Sequence, residues 1–263
     1  MSKFKRVVVF GGSGFVGSTA LELLALRGSA PSLVSVTRKG ERPKHLEKQK
    51  WADGVSWEKG DSLKPASFED KLDAETSIIV SIGSPPLPTS SDEAFQAQVK
   101  ANGDTCVSII ETAAAQNVKR LVLVSATMPQ WAPSGYREGK RKAYDAAVDF
   151  ANGGSDRSAL ILKPSGIYGT RHTEGGLPIP LWTVMAPASL AMQGLSRIGI
   201  SDFIERSIPS VAKGVLSPLV SVEAVARAAV DGATMATLPG EKNLIECSPE
   251  DILAYRTGKP TQT

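Results

Sequence analysis

Tyr136 and Lys140 stand four residues apart in Tyr136-Arg-Glu-Gly-Lys140, and Ser125 precedes the tyrosine by eleven residues. A spacing of four places both side chains on one face of a helix. An ammonium beside a phenol favours the phenolate and draws its pKa down from about 10 toward neutrality. A tyrosine so placed can exchange a proton with a carbonyl or alcohol oxygen, and a serine hydroxyl can hydrogen-bond the same oxygen. The plainer reading of these residues is a surface tyrosine with a solvated lysine.

Proton exchange at a carbonyl needs a source or sink of hydride, and the N-terminus offers a seat for one. Val7-Val-Val-Phe-Gly-Gly-Ser-Gly-Phe-Val-Gly17 runs from β-branched residues into glycines three apart, Gly11, Gly14 and Gly17, with Gly12 as an extra. The amphipathic stretch 18–27 follows. A strand, a tight turn and a helix start in this order form a seat for a dinucleotide pyrophosphate, with free N–H groups facing the anion. Gly11 permits the turn, Gly14 lets backbone approach the phosphates, and Gly17 lets the helix pack on the strand. Ser13, Phe15 and Val16 complete the loop.

The end of the second strand decides between dinucleotides. Val34-Ser-Val-Thr-Arg38-Lys39 carries no carboxylate before Glu41, where a site for NAD often places one. Arg38, assisted by Thr37 or Lys39, suits a 2′-phosphate, so the expected cofactor is NADPH rather than NADH. Asp61, in Lys59-Gly-Asp-Ser62, either accepts from the adenine amino group or caps the next turn.

These residues need a frame, and the chain alternates strand and helix signals in the manner of a parallel sheet covered on both faces. Strands are expected at 5–10, 33–37, 55–59, 77–82, 119–125 and 158–163, and helices at 15–28, 65–72, 92–117, 136–152 and 221–236. Ser77-Ile-Ile-Val-Ser-Ile82 and Arg120-Leu-Val-Leu-Val-Ser125 are apolar runs without alternation, as strands buried on both faces read. A Pro-rich loop, Gly83 to Ser91, follows the fourth strand, and the helix around Val222-Glu-Ala-Val-Ala-Arg-Ala-Ala-Val230 has the small residues of core packing. The 263 residues are expected to form a single α/β domain, with an irregular substrate-covering extension near 165–215.

A net charge of +3, from 30 basic and 27 acidic residues, gives no reason to expect a nucleic-acid partner. Cys106 and Cys247 lack metal-type spacing and read as buried or free thiols. With His45 and His172 as the only histidines, neither a histidine-rich metal site nor a histidine-based triad is expected. Met1 to Arg6 leads directly into the first strand, so no secretory signal is expected.

The chain resembles the short-chain dehydrogenase/reductase superfamily, in particular its atypical members. The resemblance spans nearly the whole length and rests on GGSGFVG at 11–17, LVSVTRKG ending at Gly40, and WEKGD at 57–61. It continues in LVLVSA ending at Ala126, GYREGKRKAYD at 135–145, and LKPSGIYGTR from Leu162 to Arg171. Similar groups include the NAD(P)-binding protein of the mitochondrial ubiquinone-synthesis complex. Plastoglobule flavin-reductase-like proteins and the nicotinamide-binding accessory subunit of respiratory complex I are also similar. The resemblance implies a doubly wound Rossmann sheet of strand order 3-2-1-4-5-6-7, bound NADPH, and work on quinones or isoprenoid lipids. It implies a mitochondrial location, with plastid or cytoplasm as alternatives.

Residue by residue, the resemblance assigns Gly11, Gly14 and Gly17 to the pyrophosphate, Arg38 to the 2′-phosphate and Asp61 to adenine. Gly83 is placed beside the cofactor, and Ser125, Tyr136 and Lys140 at the catalytic positions, with Lys140 also on the nicotinamide ribose. Asn102 matches an asparagine supporting the lysine through water, and Pro164, Ile167 and Tyr168 match the loop flanking the nicotinamide. The serine–tyrosine spacing is shorter than in many active members, and Gly139, a poor helix former, directly precedes the lysine.

No charged residue occurs from Gly175 to Ser196, but Pro178, Pro180 and Pro187 oppose a spanning helix. The segment is expected to pack on the core or cover the pocket; otherwise it meets a prenylated substrate, a bilayer or a protein partner. Arg197, Arg206 and Lys213 follow and could face anionic headgroups or water. Two functions stand open: an NADPH-dependent reductase of a carbonyl or quinone-like group with Tyr136 as proton donor, or a non-catalytic NADPH-binding accessory protein of a membrane-associated complex.

Overall fold

A computed structural model of the chain describes residues 4–27, 31–86, 90–128, 130, 132–173, 175–180 and 218–256. The first strand β1 (Arg6–Phe10) is followed by α1 (Phe15–Leu26), β2 (Ser32–Thr37), β3 (Val55–Lys59) and β4 (Thr76–Val80). Next come α2 (Asp92–Val99), a π turn (Lys100–Asp104) and α3 (Thr105–Ala115). They lead to β5 (Arg120–Val124), α4 (Ser134–Asn152) and β6 (Ser158–Leu162). After short pairings comes α5 (Val222–Thr234), then β7 (Leu244–Cys247) and α6 (Pro249–Arg256). The strands form one sheet in the order β3-β2-β1-β4-β5-β6-β7, and every pairing is parallel.

Both faces are covered, which is why β1, β4 and β5 carry near-continuous apolar runs. On one face Val7, Val9, Ile79 and Leu160 pack with α1 and the alanine-rich α5. On the other, Val8, Phe10, Ile78 and Leu121 pack with α3, α4 and Phe68. The small residues of α5 bring it close to the sheet: a Cβ on Gly232 would lie 2.3 Å from Leu160 Cδ2. All six expected strands form within two residues of their expected limits.

Two expectations on helices are corrected. The stretch 65–72 is two 3₁₀ turns, Pro65–Ser67 and Glu69–Lys71. Ser67 Oγ accepts from Asp61 N and donates to Lys64 O, local bonds that compete with a helix. The long helix at 92–117 is interrupted by the π turn around Asn102-Gly103. The last strand and helix went unread. β7 has only four residues, one of them Glu246, whose carboxylate accepts from Lys163 Nζ and Tyr144 Oη. The start of α6 did carry a signal, a reciprocal capping box in which Ser248 Oγ accepts from Asp251 N and Asp251 Oδ2 accepts from Ser248 N.

Beyond the sheet, Ile167–Tyr168 pairs with Val220–Ser221, and Thr170–His172 pairs antiparallel with Pro178–Pro180. Most of the uncharged stretch, together with Arg197, Arg206 and Lys213, lies outside the described residues. Among the described residues no helix is long and apolar enough to cross a membrane.

Candidate active site

The C-terminal ends of β1, β2, β4, β5 and β6 carry the candidate residues, the edge at which ligands bind in open parallel sheets. Gly11 leaves β1 at φ +87°, a conformation that disfavours a side chain, and its N–H donates to Val36 O. Gly14 N donates to Gly11 O at 2.8 Å and closes the turn. A Cβ on Gly17 would lie 2.3 Å from Gly11 O, and one on Gly12 2.3 Å from Ser35 Oγ. Only bare backbone fits this close approach of helix to turn.

Gly14 caps α1 without a side chain, and no acidic residue occupies the first turn. The N–H groups of Phe15, Val16 and Gly17 therefore have no intrahelical acceptor and present positive charge at the turn. Ser13 and Gly14 are exposed, whereas the Val16 side chain is buried in the core, leaving its backbone for a ligand. The loop after β6 reaches this turn: a Cβ on Gly169 would meet the Phe15 ring at 3.1 Å.

At the end of β2, Thr37 Oγ1 accepts from Gly40 N at 3.1 Å and shapes a turn that leaves Arg38 exposed. Arg38 makes no ion pair among the described residues. Asp61 shapes the following turn: Oδ1 accepts from Leu63 N at 3.1 Å, and Oδ2 lies 3.9 Å from Lys64 Nζ.

The second group converges on the exits of β4 and β5. Ser125 is buried, its N–H donates to Leu162 O, and its Oγ has no partner. Ser35 and Ser77 hydroxyls are also unpartnered but lie within strands; Ser125 stands at a strand end. Lys140 projects from α4 and is buried, with Nζ donating to Val124 O at 3.4 Å. A Cβ on Gly83 would meet Lys140 Nζ at 3.3 Å and Asn102 Oδ1 at 2.8 Å. Pro164 is buried, and its carbonyl accepts from Thr127 N, while Ile167 and Tyr168 are half-buried in the pairing with Val220–Ser221.

Electrostatics revise one expectation. Lys140 Nζ lies 5.9 Å from the Tyr136 ring centroid, yet the Tyr136 pKa is pushed up to about 12, because burial disfavours the phenolate. Burial also lowers the Lys140 pKa, with the Cys106 thiol acting in the opposite direction. The pair is thus a protonated phenol beside a desolvated lysine.

Two residues absent from the sequence reading, Ser84 and Gln98, complete this group by bonding to Asn102. Asn102 Oδ1 accepts from Ser84 N, and its Nδ2 donates to Ser84 Oγ, Gln98 O and Gln98 Oε1. Its side chain is therefore committed to the β4 exit loop. The Gly139 departure also has a physical reason: a Cβ there would lie 2.9 Å from Asn102 Cβ, and one on Gly103 2.8 Å from Gly139 O. The signal was present as G-x-x-x-G in Gly135-Tyr-Arg-Glu-Gly139. Elsewhere, a groove of about 460 Å³ between α3 and α4 is lined by Asp104, Val107, Lys142 and Phe150 among others and contains none of the candidate residues. No metal-type cluster occurs among the described residues.

The residues present fit a dinucleotide. The helix start is open, Gly12 and Gly17 admit no side chain, and a buried hydroxyl stands unpartnered at a strand end.

Comparison with known proteins agrees. Over 235 residues, 87% of this chain and 71% of the relative, the chain is 30% identical to an uncharacterized chloroplastic protein of Arabidopsis thaliana. It is 32% identical over 80 residues to MIOREX complex component 2 of Saccharomyces cerevisiae, which is 30% of this chain and 28% of that protein. An oxidoreductase of the short-chain dehydrogenase/reductase family from Burkholderia thailandensis shares the fold, with a TM-score of 0.61 over 95% of this chain and 93% of its own at 13% identity. Residues 7–183 match the family model described as the NAD dependent epimerase/dehydratase family, and the chain belongs to that family.

Proposed function

We propose that the protein is an NADPH-dependent oxidoreductase that reduces a carbonyl or quinone-like group on a small apolar, isoprenoid-type substrate. The observation that carries this is the place of Lys140 Nζ, which donates to Val124 O directly before the unpartnered Ser125 and lies 5.9 Å from the Tyr136 ring centroid, on the sheet edge that bears the glycine turn. The N–H groups of the turn and of the α1 start would hold the pyrophosphate, and Arg38 the 2′-phosphate. When bound, NADPH supplies the hydride. Ser125 Oγ donates a hydrogen bond to the substrate oxygen and orients it. Tyr136 Oη, protonated in the free protein, gives that oxygen its proton. The Lys140 ammonium then lies near the phenolate left behind and lowers its cost.

A second reading, a nicotinamide-binding accessory protein in an organellar complex, is favoured by the match to MIOREX complex component 2. The relatives described as chloroplastic and as a MIOREX component support an organellar location, mitochondrial on the first reading and plastid as the alternative.

Binding titrations of NADPH and NADH test the cofactor. NADPH is expected to bind more tightly, and Arg38→Ala to weaken NADPH about 10–100-fold while sparing NADH. Equal affinities in the wild type would remove the Arg38 assignment. NADPH oxidation against a panel of short-chain quinones, compared between wild type and Tyr136→Phe, separates the functions. Turnover lost with the hydroxyl supports the enzyme; absent turnover with retained binding and isolation in a large complex supports the accessory role.

A further inference from the structure

We propose that Gln98 is a positioning residue for this site, acting with Asn102 and Ser84 as a clamp that seats Gly83 against the Lys140 side chain. The inference rests on the dinucleotide-site reading above. Gln98 and Asn102 are one turn apart and buried, although amides are mostly exposed. Every polar atom of the two side chains is used. Gln98 Nε2 donates to Pro85 O at 3.1 Å, and Gln98 Oε1 accepts from Asn102 Nδ2 at 3.2 Å and from Ser84 Oγ at 3.4 Å. Asn102 Oδ1 and Nδ2 hold Ser84 N and Ser84 Oγ at 3.1 and 2.9 Å. Two consecutive loop residues, Ser84 and Pro85, are thereby fixed to the helix, and Gly83 directly precedes them.

The same helix also fixes α4. The backbones of Gly103 and Gly139 approach too closely for any side chain, and a Cβ on Gly135 would lie 2.7 Å from Phe95 O and 3.0 Å from Gln98 Cβ. Tyr136 and Lys140 lie on this contacting stretch of α4. One segment, residues 95–103, therefore sets both the loop that bears Gly83 and the helix that bears the lysine. Its π turn re-aims side chains locally, a device frequent at functional sites. A fully satisfied buried network specifies a single arrangement and leaves Lys140 Nζ between Val124 O and the bare face of Gly83. Loss of the clamp would let the exit loop shift and water reach the lysine.

A double-mutant cycle on NADPH affinity tests this, with Gln98→Leu and Lys140→Met. Gln98→Leu is expected to weaken NADPH about tenfold in the wild-type background and to have little effect in Lys140→Met, because residues acting as one unit are non-additive. The alkaline limb of the NADPH affinity profile is expected to move to higher pH in Gln98→Leu, as a hydrated lysine holds its proton longer. Ser84→Ala, a milder change in a half-buried loop, is expected to show the same coupling and serves if Gln98→Leu does not fold. Additive effects with an unmoved pH limb, or affinity unchanged despite lower thermal stability, would overturn the clamp while leaving the dinucleotide site intact. Wild-type protein that binds neither NADPH nor NADH would overturn the site reading itself, and the clamp with it.

Discussion

The Tyr136 phenol and the Lys140 ammonium were legible as a pair from their spacing, but their protonation was not. The pairwise argument favours phenolate; burial reverses it, because desolvation acts on the phenol from all sides and the ammonium lies 5.9 Å from the ring centroid. With its pKa pushed up to about 12, Tyr136 remains protonated across the physiological range and is poised as a donor. A difference titration of wild type against Tyr136→Phe is expected to show no phenolate from this residue below roughly pH 11. The same substitution is expected to lower turnover by about 10²–10⁴ and leave NADPH affinity within a few-fold of wild type.

Among the elements, the glycine turn and the α1 start act as one unit. Gly17→Ala forces a Cβ onto Gly11 O and is expected to cost about 1–3 kcal/mol in denaturant unfolding and to abolish NADPH binding. A second pair of elements is joined by the two histidines, whose rings stack with centroids 4.2 Å apart and planes 3° apart. His45 belongs to the 3₁₀ turn Lys44–Leu46 and His172 to the strand Thr170–His172, so the stack fastens the short hairpin to the turn. Burial, and then the facing imidazole, lower the His45 pKa below its ordinary value. The unfolded imidazole, with a pKa of about 6.5, takes its proton first as pH falls, so the stack stabilises above that value and weakens below it. Hydrogen exchange of the 170–180 amides is expected to accelerate below about pH 6.5. His45→Phe, which keeps a ring in place but removes the imidazole with the lowered pKa, is expected to flatten that dependence. Nothing in the spacing of His45 and His172, 127 residues apart, announced this contact.

In the molecule as a whole, a buried arginine ties the sheet to the α1–α5 layer. Arg120 donates to Ser158 Oγ, Gly232 O and Ala236 O and lies over the Phe4 ring, joining β5 and β6 to the C-terminal end of α5. Arg120→Leu leaves those carbonyls unpaired. It is expected to cost about 1–3 kcal/mol in denaturant unfolding without changing the ratio of NADPH to NADH affinity. That separation of stability from binding follows from geometry, since Arg120 sits at the N-terminal end of β5 and the site at its C-terminal end.

Periodicity and turn chemistry carried the parallel sheet, the glycine turn and the Tyr–Lys face, because each depends on residues within a few positions of one another. The short β7 was missed because a four-residue strand with an internal carboxylate has no local signature. Its partners Lys163 and Tyr144 come from elsewhere in the chain. Asp61 had two local meanings, and the described contacts realise the turn. Gly139 looked like a flaw in a helix until the approach of Gly103 supplied its reason. Residue types and spacing therefore determined which chemistry was available. Tertiary packing alone decided its electrostatics and its supports, because desolvation and close helix contact depend on what surrounds a residue in space and not on what precedes it in the chain.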